Sequence, residues 1–208
     1  MKLIKILTAF IALVSLQIAA AQWLHVPPPA EAKNLMVFTA GVLVSAPACA
    51  TVAQASANAE VESVNFGQFA ATHSIGTQFT TSKAMTVCKL IVRLKDGGTI
   101  TDGTIVAAIY ADNASDNITG SAIGGNSAAI NATDLTSSHA SYTFTGLSAG
   151  LSNATKYWIV LTWNGTTDGT NYPFWQAAAW TARFKTGSTT TLNQEHYADR
   201  SGWFELYE

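Results

Sequence analysis

The run Tyr157-Trp158-Ile159-Val160-Leu161-Thr162-Trp163 limits most sharply what this chain can fold into. Aromatic and β-branched residues lose rotamer freedom in a helix and pack well on a pleated surface, so the run is a strand. Strand side chains alternate between faces. Tyr157, Ile159, Leu161 and Trp163 fall on one side, Trp158, Val160 and Thr162 on the other. Both sides are largely apolar. That predicts a central strand covered twice, by an opposing sheet and by a loop or a neighbouring subunit.

The rest of the chain from about Val64 follows the same grammar. Short alternating runs cover Val64–Phe69, Ile75–Thr81, Met85–Lys95, Thr104–Tyr110, Ser121–Ile130, Ser141–Phe144, Phe174–Ala178, Ala182–Lys185 and Trp203–Tyr207. Asp96-Gly97-Gly98, Asp102-Gly103, Asp112-Asn113, Asn164-Gly165 and Asp168-Gly169 punctuate them as turns. Strands at this spacing predict an all-β, two-sheet sandwich. In 208 residues the expected organisation is one core domain, 63–208, behind N-terminal extensions.

The order of several segments resembles a known family. Ile75-Gly76-Thr77-Gln78-Phe79-Thr80, Lys89-Leu90-Ile91-Val92-Arg93-Leu94 and Gly103-Thr104-Ile105-Val106-Ala107-Ala108-Ile109-Tyr110-Ala111-Asp112 come first. Tyr142-Thr143-Phe144, Leu147-Ser148-Ala149-Gly150, Thr155–Leu161 and Trp203-Phe204-Glu205-Leu206-Tyr207 follow. Together, over about 64–208, they resemble the choice-of-anchor surface domains. The resemblance implies a jelly-roll sandwich, related in shape to carbohydrate-binding modules and used on microbial surfaces and in phage particles. It brings no catalytic or binding residues with it.

Residues 1–22 read as a secretory leader: Lys2 and Lys5, an apolar run to Ile18, then Ala19-Ala20-Ala21. Residues 23–62 read as a Pro/Ala-rich apolar spacer or a second leader. Pro27-Pro28-Pro29 stiffens its start. The apolar block Asn34 to Ala57 has three readings: another leader, a retained hydrophobic helix, or a strand donated to a neighbour. Any membrane contact is expected only through this N-terminal segment.

Two cysteines are present, Cys49 and Cys88. In the run Cys88 to Lys95, strict alternation groups Cys88 with Leu90, Val92 and Leu94 on the buried face. That predicts a free, core-packed Cys88 and no disulfide.

Charged residues make up 12% of the chain, against about 25% in an average soluble domain. The eleven Lys and Arg are scattered in sequence and the net charge is −2, which argues against nucleic acid as a partner. Solubility then rests on Thr, Ser, Asn and Gly, as in extracellular and virion-surface β proteins or subunits buried in an assembly.

Little in the chain carries chemistry. His25, His73, His139 and His196 stand at no metal-helix spacing, and no phosphate loop or nucleophile elbow occurs. Glu195 and Asp199 are the one carboxylate pair a glycosidase reading can use, and a solvated loop explains them better. No cofactor is expected, with calcium the one candidate. Asp112, Asp116 and Asp168 supply loop oxygens for it. Late aromatics supply a ligand platform: Trp175 or Trp180 with Tyr172 and Gln176. Phe174 and Trp175 are adjacent, so one faces the core and the other outward. Asn113, Asn117, Asn131, Asn153 and Asn164 head Asn-x-Ser/Thr sequons, candidate glycosylation sites in an exported chain.

The expectation is a non-catalytic surface or structural module, secreted or at the cell surface, that binds carbohydrate or self-assembles with like subunits into a filament. The alternative is a phage or virus structural protein in a virion, such as a decoration, spike or fibre component. A secreted hydrolase is the weaker alternative.

Overall fold

The computed structural model describes residues 36–39, 42–45, 49–56, 59–68, 73–179, 182–188, 191–197 and 200–208. The expected leader, 1–22, and half of the expected spacer lie outside the described residues. The chain divides into two compact units, Met1–Ala46 and Pro47–Glu208. In the first, β1 (Met36–Thr39) and β2 (Val42–Ser45) form an antiparallel pair. These residues of the apolar block are therefore strands, not a retained helix. No helix among the described residues is long and apolar enough to cross a membrane.

The second unit is a β-sandwich. One sheet contains β3 (Val52–Ala55), β4 (Ala59–Asn65), β6 (Met85–Asp96), β10 (Ala140–Leu151), β12 (Pro173–Ala178), β15 (Ser201–Gly202) and β16 (Phe204–Tyr207). The other contains β5 (Ser74–Thr80), β7 (Thr104–Asp112), β8 (Ile118–Thr119), β9 (Ile130–Asn131), β11 (Lys156–Trp163), β13 (Phe184–Ser188) and β14 (Thr191–Tyr197). The order β4-β12-β6-β10 faces the order β5-β11-β7-β8, all antiparallel. Counted along the chain, β8 and β9 taken as one, the first sheet holds the first, eighth, third and sixth of these strands. That interleaving is a jelly roll. The hairpin β13-β14 extends the free edge of β5, and β16 and β3 widen the first sheet beside β6. β3 and β4 lie in the stretch expected as spacer, so the sandwich begins before residue 63.

The core lies between the sheets. Phe79 meets Phe204 at 5.5 Å between ring centroids, and Trp175 meets Phe184 edge-on at 5.4 Å, joining the layers across the interior. β11 sits between β5 and β7, as its sequence predicts. Its inward residues join the main core, while Trp158 and Val160 form a second cluster under Leu192 of β14 and Ile118 of β8. The outer cover is thus supplied by this chain's own segments.

Cys49 and Cys88 form a disulfide, which corrects the expectation of a free, buried Cys88. The alternation of β6 breaks between Val87 and Leu90: both are buried, while Cys88 and Lys89 between them are half-buried. At the same point β10 carries extra residues between Thr145 and Ala149. Such a bulge shifts the face on which side chains emerge. Cys88 therefore points outward, where Cys49 meets it.

Candidate functional site

The expected platform is only partly assembled. Trp175 is wholly buried, and its Nε1 donates to the Trp203 carbonyl at 2.8 Å, so no face of its indole is open to a ligand. Gln176 is buried too. Trp180 lies outside the described residues. Tyr172 is half-buried, its ring 5.3 Å from that of Phe174. The outward member of the Phe174–Trp175 pair is Phe174, and it leads to a different site.

Phe174 is the cross-strand partner of Lys95. On the outer face of the first sheet, β6 presents Lys89, Ile91, Arg93 and Lys95. On one side, β10 sets Thr145 opposite Lys89, Thr143 opposite Ile91 and Ser141 opposite Arg93, all three exposed. His139 directly precedes the Ala140–Leu94 pair at which this register ends. On the other side β16 sets Tyr207 opposite Lys89 and Glu205 opposite Ile91. The face is therefore three rows: hydroxyls, cations and rings. Directly opposed residues on one face lie within side-chain reach, so the rows act together.

Each cation of the middle row stands over a ring. Lys89 Nζ is 3.7 Å from the centroid of Tyr207, Arg93 Cζ is 5.8 Å from that of Trp203, and Lys95 Nζ is 5.2 Å from that of Phe174. None of the three takes part in an ion pair among the described residues. By contrast Lys83, Lys156, Arg183 and Arg200 each hold a carboxylate, and Lys185 donates to the Asp116 carbonyl at 2.6 Å. A cation–π contact at an exposed site contributes about 0.5–1 kcal/mol. That contribution is small enough for each side chain to leave its ring. The Tyr207 hydroxyl donates to Glu205 at 2.9 Å, and this bond raises the phenol's pKa. Val52, cross-strand from Tyr207 and 47% exposed, extends the ring row.

At the far end of the cation row, burial first, then the charges of Lys95 and Arg93, hold the His139 imidazole below its usual pKa. Its Nε2 is buried and has no hydrogen-bond partner.

The calcium set does not come together. Asp112 and Asp116 are adjacent, both bonded by Gln78 Nε2 at 2.8 and 2.9 Å, and Asp112 also accepts from Trp158 Nε1 at 2.7 Å. Lys156 at 3.1 Å and Arg183 at 2.9 Å already supply Asp116 with positive charge. Its pKa is lowered by the Gln78 bond first, then by Lys156. Asp168 belongs to the opposite end of the sandwich. There Asp168 accepts from the backbone of Asn171 and Thr170, which brings its pKa down to about 2. Asp102 in the same region accepts both the N–H and the hydroxyl of Thr166. No cluster of three or more His, Cys, Asp or Glu able to hold a metal occurs among the described residues.

Of the sequon asparagines, Asn113, Asn131, Asn153 and Asn164 are exposed. Asn117 is committed: its Oδ1 accepts from Leu192 N at 3.0 Å and its Nδ2 donates to Leu192 O at 3.0 Å, pinning β14 to the loop before β8. Glu195 is on β14, not in a loop, and grips Arg183 at 2.5 and 2.7 Å. Asp199 lies outside the described residues.

Reading the sequence missed Lys89, Arg93, Lys95, Phe174, Trp203 and Tyr207 as one surface. The alternation in β6 already separated Lys89, Ile91, Arg93 and Lys95 from the core face. What it lacked was the identity of the neighbouring strands. The chain matches no protein-family model, no curated protein and no solved structure.

Proposed function

We propose that this chain is a non-catalytic surface module that binds carbohydrate through the outer face of β10, β6, β16 and β12. One observation carries the reading: three rings, each covered by a cation without a carboxylate partner, beside a row of exposed hydroxyls. Sugars present apolar ring faces and hydroxyls together, and binding sites combine aromatic surface with a few polar groups. The jelly-roll strand order supports the resemblance to choice-of-anchor surface domains. The Cys49–Cys88 disulfide supports export, since disulfides persist in oxidising compartments. A groove of about 760 Å³ opens near Cys88, and Glu208, held by Lys83, is the single carboxylate among its described lining residues. Glycoside hydrolysis needs two.

Retention of the full chain on immobilised polysaccharides tests the proposal, with Phe174→Ala, Trp203→Ala and Tyr207→Ala alone and combined. Each is expected to weaken retention while circular dichroism stays native. Undiminished retention of a folded triple variant removes this face as the site.

A further inference from the structure

We infer that the carbohydrate is acidic, its carboxylate or sulfate groups seated against Arg93, Lys95 and His139 at one end of the outer face. The inference rests on the carbohydrate reading of that face and names the ligand class. Among the described cations Lys89, Arg93 and Lys95 have no carboxylate or carbonyl partner, whereas Lys83, Lys156, Arg183 and Arg200 hold carboxylates and Lys185 donates to the Asp116 carbonyl. The positive charge is thus unspent on the fold and concentrated where the rings are. Strand rise is about 3.3 Å per residue, which sets Arg93 about 7 Å from Lys95 and about 13 Å from Lys89 along the sheet. A polymer with repeated anionic groups meets such a row at several points. A neutral glycan meets the hydroxyls but leaves the cations over the rings.

His139 completes the seat. It directly precedes the Ala140–Leu94 pair that ends the β10–β6 register, within reach of the Lys95 charge, and its buried Nε2 has no hydrogen-bond partner. The charges acting on it are those of Lys95 and Arg93 on β6. Asp96, at the end of β6, and Asp134, in the 3-10 turn Ala132–Asp134, lie on the segments flanking this corner. A bound anion between the cations offsets their repulsion of a protonated imidazole. The His139 pKa then rises on binding, and by linkage binding tightens as pH falls.

The test uses the full chain with polygalacturonate, dextran sulfate and neutral dextran, and with single-stranded oligonucleotide and phosphatidylserine vesicles as competitors. The acidic polysaccharides are expected to bind, more weakly with added salt, and neutral dextran to bind poorly. Arg93→Gln/Lys95→Gln lowers affinity about ten-fold or more with an unchanged thermal midpoint. Histidine NMR shows the His139 pKa rising at saturation with polygalacturonate. Capture of neutral dextran as strong as that of polygalacturonate, and undiminished in the double variant, overturns the acidic inference and leaves the carbohydrate reading standing. Preference for oligonucleotide or vesicles, or retention of no polysaccharide, overturns both. If the double variant unfolds, His139→Gln replaces it, and an unchanged pH dependence of binding then removes the seat.

Discussion

Trp175 holds the two sheets together from inside. Its indole packs edge-on against Phe184 and donates to the Trp203 carbonyl, and a Cβ at Gly202 would stand 2.4 Å from the ring. A side chain at Gly202 would force β15 away from the indole. Trp175→Ala is expected to cost about 3–5 kcal/mol, read as a lower urea midpoint. A near-native midpoint would mean the ring is not a core residue. His139 gives a pH signature. Its folded pKa is depressed, so its contribution is complete above the unfolded value of about 6.5 and is lost as pH falls through the lower folded value. The thermal midpoint should therefore drop as pH falls below about 6.5, and His139→Gln should flatten that part of the profile.

At the scale of elements, the change of parity in β6 matters most. It turns Cys88 outward, and the disulfide then ties Cys49, just before β3, to the strand at the centre of the first sheet. In the chain-entropy account, a bridge across 39 residues contributes about 4 kcal/mol. Cys49→Ser/Cys88→Ser, or reduction of the wild type, should lower the denaturant midpoint accordingly. Equal midpoints with and without reductant would show that the bridge does not hold this segment. β14 was not expected from the sequence: among the described side chains of Thr191–Tyr197 one buried apolar residue, Leu192, occurs, too few to mark a strand by period. Asn117 and the pairing with β13 supply what hydrophobic pattern does not. Ser121–Ile130, expected as a strand, is mostly irregular. Its amides bond β7 and β10 in turn, through Ile123 to Ile109, Ser127 to Ala107 and Ala128 to Thr145.

At the scale of the whole molecule, most successive core strands cross between sheets, so most pairings join distant parts of the chain. Folding is expected in about milliseconds to seconds, the range of all-β topologies with non-local contacts. Stopped-flow refolding with the disulfide intact checks this, and a single microsecond phase would contradict it. The sequence alone determined the β class, most strand positions and the doubly covered β11, because burial on a pleated sheet imposes a period of two that a single strand reveals. Only the tertiary structure decided which strands are neighbours. Lys95 meets Phe174 and Lys89 meets Tyr207 across 79 and 118 positions of chain, respectively. It also decided that Cys88 faces out, since one bulge reverses alternation without any mark in composition. The candidate face belongs to that second kind of information: its residues were legible one strand at a time, and their convergence was not.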